Sequence, residues 1–260
     1  MLQHTYQTPL PVTLEVAIPS GDIDVETGGA DETSLTIDGD ERMLEHVEVR
    51  QDGDRVIVKL VDKGKLGISF SGTGFSLGSF SFGMGGLRVR ARVPHGAAVT
   101  VKTASADTEL GGQFARLEVN SASGDVRLRG EVAENATVKT VSGDVELDRV
   151  DGDLLVQCVS GDVHARAIAG SVDTKSVSGD IRLESLTAGE VRFTSVSGDI
   201  EVGIAPGSLL DVDAGSTSGD LSSEVPLASE PPAGEEAATG PTVVLRGRTV
   251  SGDVRVFRAG

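Results

Sequence analysis

Aspartate is the residue whose placement in this chain first suggests chemistry. It recurs in Ser-Gly-Asp triplets beginning at Ser20, Ser123, Ser142, Ser160, Ser178, Ser197, Ser218 and Ser251, with a degenerate copy at Ser105-Ala106-Asp107. Carboxylates at a fixed period can collect a hard cation such as calcium, and Asp125, Asp144, Asp162, Asp180 and Asp199 are the candidate ligands. The calcium-binding nonapeptide roll, however, carries Gly-Gly-x-Gly-x-Asp, whereas one glycine precedes each aspartate here, which leaves fewer free carbonyl ligands. The competing reading is structural: Asp and Ser side chains cap turns by hydrogen-bonding nearby backbone N–H groups.

The remaining reactive residue types are isolated. Gly74-Phe75-Ser76-Leu77-Gly78 has the Gly-x-Ser-x-Gly form of a nucleophile elbow but lacks the strand-to-helix context that exposes such a serine. Cys158 excludes an intrachain disulfide and stands where other repeats carry Ser or Thr, so it reads as a small filler. His4, His46, His95 and His164 show no metal spacing, and the carboxylate pairs Asp22/Asp24, Asp151/Asp153 and Asp211/Asp213 sit in turn-like contexts. Arg88, Arg90 and Arg92 form one cationic face of a strand and are expected to pair with carboxylates. No cofactor signature is present.

The elements holding these residues follow from the spacing. Aspartates 107, 125, 144, 162, 180 and 199 lie 18, 19, 18, 18 and 19 residues apart. Within a period the pattern is apolar-x-apolar-x-x-apolar-x-Gly-Asp, clearest at Val145, Leu147, Val150, Leu154, Val156, Val159 and Val163. Alternation closed by a glycine turn is a short strand with one buried face, so each period holds two strands. Such units stack. The expected fold is all-β, a single-stranded β-solenoid with ~18-residue coils, the alternative being a repetitive β-sandwich of hairpins. Four before each aspartate stands a small polar residue, Thr103, Ser121, Thr140, Cys158, Ser176, Ser195, Ser216 or Thr249, which makes one edge regular; the opposite edge varies.

Five regions result. Residues 1–62 read as an N-terminal β layer capping the solenoid, and 63–86 as a Gly/Ser/Phe-rich loop whose Phe70, Phe75, Phe80 and Phe82 form an association patch. Residues 87–221 hold the solenoid repeats, 222–241 a disordered Pro/Glu insertion, and 242–260 a terminal repeat. Val254 and Val256 lie in that last strand, three residues from the end, where an open edge could template another chain.

Composition narrows the functions. With 23 Lys and Arg against 40 Asp and Glu, a net charge of −17 repels phosphate backbones and anionic headgroups, so nucleic acid and membrane insertion are not expected. Eight aromatics among 260 residues supply too few sugar platforms for a carbohydrate-active enzyme, and a small-molecule substrate is not expected. The N-terminal residues have no signal-peptide pattern and no run is long enough to span a bilayer, which points to the cytoplasm.

The recurring Val-Ser-Gly-Asp-Val, as at 141–145, 159–163, 177–181 and 196–200 (with Ile closing the last two), resembles the bacterial β-strand-repeat family named putative adhesin, a domain of unknown function. That resemblance implies a repetitive all-β fold and brings no catalytic residues. The reading is a non-enzymatic scaffold that binds protein or itself; the alternative is a cation- or glycan-binding module using the Ser-Gly-Asp ladder.

Overall fold

A computed structural model describes residues 1–61, 86–225 and 240–260, together with the backbone of two short paired strands, Ser69–Ser71 and Gly74–Ser76. The fold is an all-β solenoid. Each coil contributes one strand to each of two facing sheets, and every strand of the repeat region pairs in parallel with its counterpart one coil away. Val138 lies beside Val156, which lies beside Thr174; Val145 lies beside Val163, which lies beside Ile181. A sandwich of hairpins would pair neighbouring strands antiparallel. The Gly-Asp turns instead swing the chain to the opposite sheet, where it stacks on the coil before it.

Most apolar positions of the nine-residue pattern face the inside of the coil. Val145, Leu147, Val150, Leu154 and Val156 are all at most 1% exposed, and the same register is buried in every inner coil. Each buried aliphatic contributes roughly 1.5–3 kcal/mol, which a lone coil cannot collect because its strand edges would face water.

In space the coils do not follow chain order. They run 13–28, 98–114, 117–132, 136–150, 154–168, 172–186, 189–204, then 242–258, and only then 209–223. Strand Thr242–Ser251 lies between Gly189–Ser197 and Leu209–Ser218, and strand Val254–Arg258 lies between Ile200–Ile204 and Leu221–Ser223. This corrects the expectation that Val254 and Val256 mark an open edge. Both side chains are fully buried and both edges of their strand are paired.

The opposite end is closed differently. Strand Arg55–Leu60 continues the parallel stack on Thr13–Ala17, and Leu87–Pro94 continues it on Gly21–Gly28, so together they form one more coil, interrupted by residues 61–86. Beyond it pairing turns antiparallel: Val47–Asp52 on Arg55–Leu60, Glu32–Asp38 on Leu87–Pro94, and Leu2–Gln7 on Glu32–Asp38. The four-residue helix Glu41–Leu44, capped by Asp40, plugs this end with the buried Met43. Glu15, on the outer face here, is desolvated by burial, yet Lys102 and Arg55 more than offset this and hold its carboxyl below the usual range. Among the described residues no helix is long and apolar enough to cross a membrane.

Candidate functional site

The Ser-Gly-Asp turns stack into a single corner running the length of the solenoid, and three columns of side chains are fixed there. The aspartates form the first. Asp107 Oδ1 accepts the backbone N–H of Asp125 at 3.0 Å, Asp125 Oδ1 that of Asp144 at 3.0 Å, Asp144 Oδ1 that of Asp162 at 2.9 Å, and Asp162 Oδ1 that of Asp180 at 2.9 Å. The chain of bonds then runs through Asp199 and Asp253 to Asp220, in the spatial order of the coils. One carboxylate oxygen at each step therefore satisfies a backbone donor that the turn leaves without a strand partner.

Geometry thus shows the turn-capping role for the five aspartates that sequence offered as cation ligands. Among the described residues no group of three or more His, Cys, Asp or Glu side chains converges as a metal site would require. The two roles separate by mutation. Asp162→Asn keeps the acceptor oxygen and is expected to change the melting temperature by no more than a degree or two, whereas Asp162→Ala orphans the Asp180 N–H at about 1–3 kcal/mol. Thermal melts in chelator and in calcium check this; equal losses for both variants, with a calcium-dependent rise in the native chain, would restore the cation reading.

The second column faces inward. Ser121 Oγ donates to Ser123 O at 2.7 Å, Thr140 Oγ1 to Ser142 O at 2.8 Å, and Thr249 Oγ1 to Ser251 O at 3.0 Å, each bracing its own turn. These hydroxyls are at most 6% exposed, so they offer nothing to a glycan. Cys158 fills the same place, its Sγ 3.7 Å from Gly161 O; burial, with the nearby Asp144 and Asp162, pushes its thiol up. That is an inert structural cysteine.

The third column was not singled out in the sequence. Val141, Val159, Val177, Val196 and Val250, each immediately before its Ser-Gly-Asp, are 45–53% exposed and lie at one register on successive coils. The alternation rule placed Val159 with the inward residues; the turn begins there and rotates it out. The signal was visible as a valine conserved in position among the repeats, but periodicity alone does not say on which side of the wall a turn-flanking residue falls.

Other candidates are dispersed. Arg88 and Arg92 pair with Asp22 and Glu26 across adjacent coils, as the cationic face was expected to do. His164 Nε2 lies 2.8 Å from Glu184, His95 Nδ1 2.8 Å from Thr27, and His4 stacks on Tyr6. Asp153 caps the opposite corner by accepting from Ser171 N–H. A shallow groove of about 330 Å³ crosses the outer face of one sheet beside Thr137, Leu155, Asp173 and Arg192, and its Glu190 is already paired with Arg192 and Arg246. The side chains of Phe70, Phe75, Ser76, Phe80 and Phe82, and most of the 222–241 insertion, lie outside the described residues.

At the far end of the stack the walls stop. Strand Leu209–Ser218 pairs only with Thr242–Ser251, and Leu221–Ser223 only with Val254–Val256, among the described residues. Leu221 stands in register with Val254, Ile200 and Ile181, which are at most 1% exposed, yet it is itself 46% exposed. The model of the Toastrack DUF4097 family matches residues 12–257, nearly the whole of this coil-on-coil architecture.

The chain belongs to the Toastrack DUF4097 family.

Among solved structures, the Toastrack chain is similar to a putative adhesin from Bacteroides fragilis NCTC 9343, with 14% identity over 98% of this chain and 96% of that one and a TM-score of 0.55. It also matches a putative lipid binding protein from Parabacteroides distasonis ATCC 8503 (11% identity, 98% and 96% coverage, TM-score 0.45) and a putative adhesin from Parabacteroides merdae ATCC 43184 (12%, 98% and 95%, 0.40). At this identity the likeness to the Bacteroides fragilis protein concerns the fold alone. No curated protein matches this Toastrack chain.

Proposed function

We propose that this chain is a non-enzymatic interaction scaffold that docks protein, a second copy of itself first, on the strand edges of its end coil. One observation carries the reading: among the described residues Leu209–Ser218 and Leu221–Ser223 each pair on one side only, and Leu221, in register with buried residues of the inner coils, is 46% exposed. Unpaired N–H and C=O groups in a row are a template for another strand. The adhesin names of similar structures support an interaction role of this kind.

Sedimentation velocity over a concentration series, in chelator and again in millimolar calcium, tests it. The native chain is expected to sediment faster as concentration rises in either solution, and Leu221→Lys, which sets a charge on the open end, is expected to stay monomeric. A native chain that is monomeric throughout overturns self-association. Growth in calcium alone would favour the aspartate ladder.

A further inference from the structure

The Ser-Gly-Asp corner carries charge of opposite sign on its two sides. Two residues before each exposed valine, on the outer face of the same sheet, stand Lys139, Gln157, Lys175, Thr194 and Arg248, in register on successive coils. Three residues after each valine comes its aspartate, so the order round the corner is cation row, valine column, aspartate ladder. Lys139, Lys175 and Arg248 are exposed and form no ion pair among the described residues. Asp144, Asp162, Asp180, Asp199 and Asp253 are likewise exposed and unpaired with any cation there, each using Oδ1 on a turn N–H. One coil earlier, where Ala122 replaces the valine, Asp125 is already paired with Arg127. These uncompensated charges and the exposed valines therefore share the same coils.

The period of this strip selects what can cover it. Its features repeat at the coil step of ~4.8 Å over four steps, about 19 Å in all. Turns of an α-helix recur every ~5.4 Å and same-face residues of a strand every ~6.7 Å, so over that length they slip by about 2 Å and about 8 Å. A second solenoid of the same rise stays in step. The charges then fix its orientation. About a two-fold axis parallel to the solenoid axis, valine meets valine at every level and each cation row falls on the other copy's aspartates. About a two-fold axis perpendicular to it, aspartates would face aspartates and cations would face cations, which is repulsive. With a net charge of −17 on each copy, only the matched arrangement offsets that repulsion locally.

We infer that this corner is a lateral docking surface for a second copy of the chain, the two solenoids lying side by side and parallel, with Lys139, Lys175 and Arg248 of each opposite Asp144, Asp180 and Asp253 of the other. A strip this narrow covers far less than the ~800 Å² per partner of a stable complex, so the contact is short-lived between free chains in dilute solution and persists where copies are crowded. It uses the side of the solenoid and is independent of the end-coil edges.

Single cysteines along the column test it, in a Cys158→Ser, Leu221→Lys background that removes the native thiol and closes the end coil. Val141→Cys, Val159→Cys, Val177→Cys and Val196→Cys are each expected to form dimers linked by a short bis-maleimide several-fold faster than Ala169→Cys, an exposed position on the opposite corner. Rates are normalised to single-site labelling of the same cysteine. Adding Lys139→Glu, Lys175→Glu and Arg248→Glu should bring all four down to the rate of Ala169→Cys carrying the same changes. Gln at those three positions serves as a second series should Glu disturb the fold, with the melting temperature as control. Column rates equal to the Ala169→Cys rate overturn the proposal, as does acceleration that survives loss of the three cations. Acceleration at one level only overturns it too, because the copies would then be antiparallel. Since the background removes end association, failure here leaves the end-coil reading to its own sedimentation test.

Discussion

Val254→Asp is expected to cost about 4 kcal/mol or more and to melt the last two coils of the stack, whereas Leu221→Asp is expected to cost about 1 kcal/mol or less. By chain order the two should behave the other way round, since Val254 lies in the final strand and Leu221 in an earlier one. Val254, however, is fully buried between Ile200 and Leu221, and a carboxylate there has neither water nor a cation. Leu221 sits on the outermost coil, 46% exposed, where a carboxylate keeps much of its hydration. Hydrogen exchange resolved to 189–223 and 242–258 checks both variants. Equal losses, or a larger one for Leu221→Asp, would mean that coil 242–258 does not lie inside the stack.

The second large effect is expected at the turn glycines. Gly161 has φ +124°, a conformation that side chains with a Cβ rarely adopt, and a Cβ built on it would lie 2.3 Å from the Gly143 carbonyl oxygen of the coil below. Gly161→Ala must therefore strain its own backbone and push two coils apart, at an expected cost of at least about 3 kcal/mol. Gly53→Ala is the control. Gly53 also has positive φ, at +61°, but nothing lies within 4 Å of its would-be Cβ, so only the local penalty of about 1 kcal/mol applies. Thermal or denaturant unfolding of the two variants separates the cost of conformation from that of coil contact; similar losses would show that coil-to-coil approach is not what requires glycine at 161.

Gly161 was legible as a turn residue, and the inward aliphatics from Val126 to Val202 were legible as a wall, because a two-residue alternation broken by glycine is a local signal that repeats. The hydroxyl column was also readable from Thr140, Ser176 and Ser195, although the sequence could not show those hydroxyls turned inward onto their own turn carbonyls. The exposure of Val141 and its equivalents was hidden for a related reason. They flank the turn, where the alternation that assigns inside and outside loses its phase.

By itself, then, the sequence determined the repeat, the two strands per coil, the inner faces and the chemistry of the turns, since each depends on residues within one 18-residue period. The order of the coils was decided only in the tertiary structure. The coils from 13–28 to 242–258 carry the same Ser-Gly-Asp corner, apart from Ser105-Ala106-Asp107 in coil 98–114, so each is an acceptable neighbour for any other, and nothing in the corner distinguishes inner from outer. What distinguishes them is burial on both flanks. Coil 242–258 brings Val243, Leu245, Val254 and Val256, all fully buried, and gains most from lying between two neighbours. Coil 209–223, with Asp211, Asp213, Gly215 and Ser222 among its residues, loses least by facing outward, and so the chain skips one place in the stack and returns to fill it.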